Sequence, residues 1–141
     1  MKNLLVIFCF FSLAATCQDQ NSDSKDSNKN PCSPDIICTM QFKIINLEIE
    51  NGEGEPIVLD EFYSKIDDKT IEIPYDVYEL KEGLYPVVTD GQMAALEFEG
   101  TEIIFFGLIN GETVVEHKMT IGKDCCHIEL LDGDKKIILS L

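Results

Sequence analysis

The sequence predicts an all-β fold, a two-sheet antiparallel β-sandwich of about seven or eight strands. From Ile36 onward, short apolar runs rich in Ile, Val, Phe and Tyr alternate with clusters of Gly, Asn and Asp, the punctuation of strands and turns. No segment carries apolar residues at the helical period over any length. Asn110-Gly111 sits between two long apolar runs, and this pair favours a two-residue type I′ hairpin turn because both positions need positive φ. Short strands at this spacing in a domain of about 110 residues fit a sandwich better than a closed transport barrel.

Taken in order, the chain divides into three parts. Residues 1–16 have a lysine at position 2, an apolar run from Leu4 to Ala15 and small residues before Cys17, which makes a secretory signal too short to remain as a membrane span. Residues 17–31 are Cys17 and a tether, QDQNSDSKDSNKNP, with no large apolar side chain to offset the entropy of ordering it; at random-coil scaling its reach is roughly 20 Å. Residues 32–141 form the sandwich. Its first strand is expected from Cys38 to Glu50, with Cys38, Met40, Phe42 and Ile44 in one phase and Ile45, Leu47 and Ile49 in the other, so a bulge or a change of sheet is expected at Ile44–Ile45. A turn at Asn51–Pro56 leads to a short strand at Ile57–Leu59. Further strands are expected at Phe62–Ile66, Thr70–Ile73, Tyr85–Thr89 and Ala95–Phe98, with a helical turn at Tyr75–Leu80. The Asn110-Gly111 hairpin spans Glu102 to Ile121, and a two-residue turn would set Phe106 opposite Val115 and Ile104 opposite His117. A second hairpin is expected where His127–Leu131 and Lys136–Leu141 flank Asp132-Gly133-Asp134.

The formal charge is −15, and loss of Lys2 with the signal makes the mature chain one unit more negative. All eleven basic residues are lysine, so the guanidinium forks that grip phosphate are missing and nucleic acid is excluded as a partner. An acidic exterior keeps a secreted domain in solution, and none of the clusters Glu53/Glu55, Asp60/Glu61, Asp67/Asp68 or Asp132/Asp134 has the spacing of a calcium loop.

Of six cysteines, Cys9 falls in the signal's apolar run and Cys17 at its processing site, leaving Cys32, Cys38, Cys125 and Cys126. In an oxidising compartment an even set on a small domain reads as disulfides, with three connectivities open. Cys38 is in phase with Met40 and Phe42, and Cys126 with Ile128 and Leu130, so both should point into the core. A Cys38–Cys126 bridge with an outer Cys32–Cys125 bridge is therefore preferred. Each closes a loop of roughly 90 residues, on the order of 4 kcal/mol in the chain-entropy picture. The alternative is a zinc or copper site from the same cysteines with His117 or His127, but a five-residue gap and an adjacent pair do not match known zinc knuckles. No metal and no cofactor is expected. His117 alternates with Val115, Met119 and Ile121, as a hydrogen-bonded core or edge histidine would, whereas His127 shares the phase of Cys125 and Glu129 and should be exposed.

There is no Gly-x-Ser-x-Gly elbow, no phosphate-binding glycine loop and no Cys-x-x-Cys, so no enzymatic activity is expected.

Leu13-Ala14-Ala15-Thr16-Cys17 resembles a bacterial lipoprotein signal, which implies that Cys17 is diacylated and becomes the mature N-terminus. Thr16 stands where Gly, Ala or Ser is usual, and cleavage by an ordinary signal peptidase is the alternative. Together with the polar stretch that follows, Cys38-Thr39-Met40-x-Phe42, Asn51-Gly52-x-Gly54-x-Pro56, Asn110-Gly111 and Asp124-Cys125-Cys126-His127 look like small uncharacterised envelope lipoproteins of the Bacteroidetes group. The opening strand and turn are similar in outline to transthyretin-type, carboxypeptidase regulatory-like sandwiches, so the domain is expected to be prealbumin-like or immunoglobulin-like. The resemblance implies a lipid-anchored outer-membrane protein, on the periplasmic or surface-exposed face; an anchor, a spacer and a rigid sandwich with no catalytic constellation suit a binding or accessory module that presents loops or an edge strand. Its partners would be the membrane, through the N-terminal lipid, and a protein or carbohydrate. An envelope metal-binding protein and a small hydrolase are the alternatives.

Overall fold

In the computed structural model the described residues are 31–74 and 81–140. The signal, Cys17, most of the tether and the helical turn expected at Tyr75–Leu80 lie outside them.

Eight strands form two sheets: β1 (Ile44–Asn51), β2 (Glu61–Ile66), β3 (Lys69–Ile71), β4 (Leu84–Thr89), β5 (Thr101–Ile109), β6 (Glu112–Lys123), β7 (Ile128–Asp132) and β8 (Lys136–Leu139). One sheet has the order β4-β1-β8, the other β3-β2-β5-β6-β7. Alternation puts Ile45, Leu47 and Ile49 of β1 against Ile103 and Phe105 of β5 and Val115, Met119 and Ile121 of β6, all within one buried core. Phe105 sits at its centre, 6.1 Å from the Phe62 ring and 6.2 Å from that of Tyr85. The Tyr85 hydroxyl donates to the Ile57 carbonyl at 2.7 Å and accepts from the Leu59 amide at 2.8 Å. That pair of bonds pins the segment by which the chain leaves the first sheet for the second.

The Asn110-Gly111 turn has the expected form, with φ of 53° and 78° and Ile109 opposite Glu112. Asp67 and Asp68, at φ 47° and 65°, make a similar two-residue turn between β2 and β3. Beyond the first turn the register differs from expectation. A bulge at Gly107/Leu108 shifts the ladder by one residue, so Phe106 faces Glu116 and Ile104 faces Lys118, while Phe105 faces His117. The extra residue is Val114 on β6, whose alternation shifts; β5 keeps its own, with Ile103 and Phe105 in the core and Ile104 and Phe106 on the outer face. At Gly107 a Cβ would come within 2.6 Å of Leu59 Cδ1, so any larger residue there would have to displace the Leu59 side chain.

Four further expectations are corrected. Residues Cys38–Phe42 are not strand: β1 begins at Ile44, and the phase change at Ile44–Ile45 marks its start, with a bulge at Ile45/Asn46 in its pairing with β4. No strand forms at Ile57–Leu59; the chain there is held by a bridge between Glu50 and Pro56 and a bond from the Ile57 amide to the Ile49 carbonyl. The strand expected at Ala95–Phe98 is replaced by a 3-10 helix at Asp90–Ala95, capped by Thr89 and Gln92. The C-terminal hairpin does not form. From Asp132 the chain crosses to the other sheet, and β8 lies parallel to β1 while β7 pairs with β6. Gly133, at φ 104°, packs so near the backbone of Lys118 and Met119 that the crossing hugs β6.

Candidate functional site

Two regions gather chemistry-bearing side chains. The first is the cystine-clamped end. Cys32 is bonded to Cys125 and Cys38 to Cys126, with Cα–Cα separations of 5.4 and 5.3 Å. Neither bridge is in the core: Cys38 is exposed, and Cys125 and Cys126 precede β7 as half-buried residues. The core-facing argument for Cys38 and Cys126 therefore fails, because the alternation it relied on belongs to strands that start later.

Asp124 shapes the Cys125-Cys126-His127 corner. Its Oδ1 accepts from the amides of Cys126 and His127, both at 2.6 Å, and these bonds hold its carboxyl below the ordinary carboxylate value. Asp90 ties three elements together. One oxygen accepts from the Ile128 amide at 2.9 Å, the other from the Lys43 amide and from His127 Nδ1, each at 2.8 Å. Partial burial pushes the Asp90 carboxyl up, but the bonds from Ile128, His127 and Lys43 together outweigh it and leave the group lowered. His127 Nδ1 faces the Asp90 carboxylate and donates to it, while Nε2 pairs with the Thr39 hydroxyl at 3.0 Å. The His127 side chain is 20% exposed, not solvent-facing as its phase indicated. Hydroxyl, imidazole and carboxylate thus stand in one hydrogen-bonded row, beside a hollow of about 160 Å³ lined by Gln41, Lys43 and His127.

The same row holds down a loop. Residues 32–42 carry Ile36, Ile37, Met40 and Phe42 out into water, with Ile37 94% exposed and Met40 fully so. Ordinary collapse would fold such side chains onto the sandwich; here the two cystines and Thr39 fix the backbone.

The second region is the outer face of the five-stranded sheet. Tyr63 and Phe106, cross-strand neighbours on β2 and β5, stack with centroids 5.2 Å apart, and the Lys65 ammonium stands 5.6 and 5.2 Å from their centroids. Beside them lies a hollow of about 270 Å³ lined by Lys65, Asp67, Asp68, Glu102, Ile104 and Phe106.

The remaining carboxylate pairs do not assemble into a site. Asp60 accepts from the Asn110 amide at 2.6 Å and Glu55 from the Asn51 side chain at 3.1 Å, both bracing turns. His117, on β6 opposite Phe105, bonds the Asp134 carbonyl at 2.9 Å, in keeping with the hydrogen-bonded histidine expected there. Among the described residues no group of three or more His, Cys, Asp or Glu side chains is placed to hold a metal ion. Spacing gave no sign of Asp90 or Thr39, which reach His127 from 37 and 88 residues away.

Comparison with protein-family models, with curated proteins and with solved structures finds no match to this chain.

Proposed function

We propose that the protein is a lipid-anchored binding module of the bacterial outer membrane, held by Cys17 and engaging a glycan on the outer face of its five-stranded sheet. The stacked Tyr63–Phe106 pair carries this reading. Aromatic faces pack on the C–H faces of sugar rings, and carboxylates accept from sugar hydroxyls; Asp67, Asp68 and Glu102 stand at the margin of the ring pair. A sugar ring would take the place the Lys65 ammonium now holds. Affinity electrophoresis of the full mature chain through a panel of soluble polysaccharides tests it: retardation by one polysaccharide, abolished in Tyr63→Ala, is expected. No retardation by any would overturn the glycan and leave a protein partner for the same face. Cys17→Ser should release the protein to the soluble fraction, and unchanged membrane association would reject the anchor.

A small hydrolase is a second reading, favoured by the Thr39–His127–Asp90 row, in which a hydroxyl, a base and an orienting carboxylate have the mutual distances that nucleophilic catalysis needs. Covalent labelling of Thr39 by a fluorophosphonate, lost in His127→Ala, would establish it. An unlabelled Thr39 leaves the row as a structural clamp.

A further inference from the structure

We infer that the clamped loop, through Ile36, Ile37, Met40 and Phe42, seats in the interfacial layer of the same bilayer that holds the Cys17 lipid, so that the domain is attached at two points. The inference rests on the anchoring reading above. Four large apolar side chains within seven residues face water, whereas Val58, Leu131 and Ile138, the other exposed large apolar residues described, are scattered over separate elements. The loop does not hang free. Cystines hold it at Cys32 and Cys38, the Ile36 amide bonds the Ser33 carbonyl at 3.2 Å, and Thr39 is tied to His127. A backbone fixed in this way keeps its apolar tip presented at no further cost in ordering, as a surface that inserts must.

The length of chain before the loop indicates the occupant. Only fourteen residues separate Cys17 from Cys32, a span of about 50 Å when fully extended and about 20 Å as a coil. Cys32 is also the loop's first fixed point, so the loop is the part of the domain that follows the anchor most closely along the chain. One acyl-bearing residue plus a second weak contact is the combination that makes membrane attachment lasting. Charge selects the lipid. Residues 31–42 hold one acidic residue, Asp35, and no lysine, and the whole chain is strongly negative, so the loop suits a zwitterionic surface and is repelled by an anionic one.

The chain contains no Trp, so Phe42→Trp supplies a single reporter at an exposed position. The full-length acylated protein, purified from membranes, is reconstituted in phosphatidylethanolamine/phosphatidylcholine vesicles with and without brominated acyl chains. The expected result is a blue-shifted tryptophan emission from the Phe42→Trp protein, quenched at least twofold by the brominated lipid. Quenching should weaken as phosphatidylglycerol replaces the zwitterionic lipid and disappear in Ile37→Asp/Met40→Asp with an unchanged circular dichroism spectrum. Emission identical in both vesicle types overturns the inference. A blue shift that depends on protein concentration but not on bromination also overturns it, since the loop then packs on a second copy. Should Phe42→Trp fail to fold, Ile37→Trp carries the same reporter. Intact mass of the purified chain separates the two readings: an unacylated Cys17 refutes the anchor and this inference with it, whereas an acylated, unquenched protein refutes the inference alone.

Discussion

The two cystines should be strongly non-additive, and their positions fix by how much. Cys32–Cys125 and Cys38–Cys126 join the same two stretches of chain at sequence separations of 93 and 88. Either bridge alone closes a loop near 90 residues, which restricts the unfolded chain by about 4.6 kcal/mol in the loop-entropy relation. Once one is closed, the other adds only a small ring, Cys32 to Cys38 together with Cys125 and Cys126, worth about 2.6 kcal/mol by the same relation. Replacing Cys32 and Cys125 by Ser should therefore cost about 2.6 kcal/mol, and replacing Cys38 and Cys126 the same. Replacing all four should cost about 7 kcal/mol, a large part of the stability of a domain this size. Urea unfolding of the oxidised proteins, with stability extrapolated to water, reads these differences directly. Two single-bridge losses of about 4.6 kcal/mol each, or a four-fold replacement costing no more than twice a single-bridge loss, would refute the reasoning. Either result would show that the bridges act through native packing rather than through the unfolded chain.

Other perturbations follow from single side chains. Asp90 is ionised and its carboxyl is lowered in the fold, so its contribution is present above its ordinary value of 3.8 and is lost as pH falls through the lower folded value. Asp90→Asn should cost about 1–3 kcal/mol at pH 7, with the gap to wild type closing below about pH 4 in pH-resolved urea unfolding; a gap that widens in acid would contradict this. Ser64 is fully buried on the inner face of β2 with its hydroxyl unpartnered, so Ser64→Ala should be neutral or raise stability by up to about 1 kcal/mol in thermal unfolding. Tyr85→Phe leaves the Ile57 carbonyl and Leu59 amide without their shared hydroxyl and should cost about 1–3 kcal/mol in urea unfolding. Asp68→Gly relieves a positive φ at the β2–β3 turn, and a gain of about 0.5–1 kcal/mol is expected by calorimetry.

How far each feature could be read from sequence depended on its range. The all-β class, the Asn110-Gly111 turn and the hydrogen-bonded role of His117 were legible because alternation and turn chemistry act over a few residues. The register past the turn was not, since the extra residue, Val114 on β6, lies within an unbroken strand pattern and has no turn residue to mark it. The C-terminal pairing was misread for a similar reason: Asp132-Gly133-Asp134 has the composition of a hairpin, yet β8 goes to β1 because that central strand still had an unpaired side. At the clamped end, apolar residues at Met40 and Phe42 looked like the phase of a buried strand, and only coordinates show them pointing away from it. The Thr39–His127–Asp90 row and the Tyr63–Phe106 stack are assembled across strands and leave no local mark.

The parallel pairing of β1 with β8 has a kinetic meaning. In a chain exported from its N-terminus, as proposed above, β1 emerges long before β8, and with β8 missing the three-stranded sheet has an open side along Glu48–Asn51. Contacts of such high sequence separation form slowly, after most of the loop-closure entropy has been lost at once. If the chain is exported as proposed, the five-stranded sheet can form without β8, and only the edge of β1 along Glu48–Asn51 stays open until the last strand has crossed.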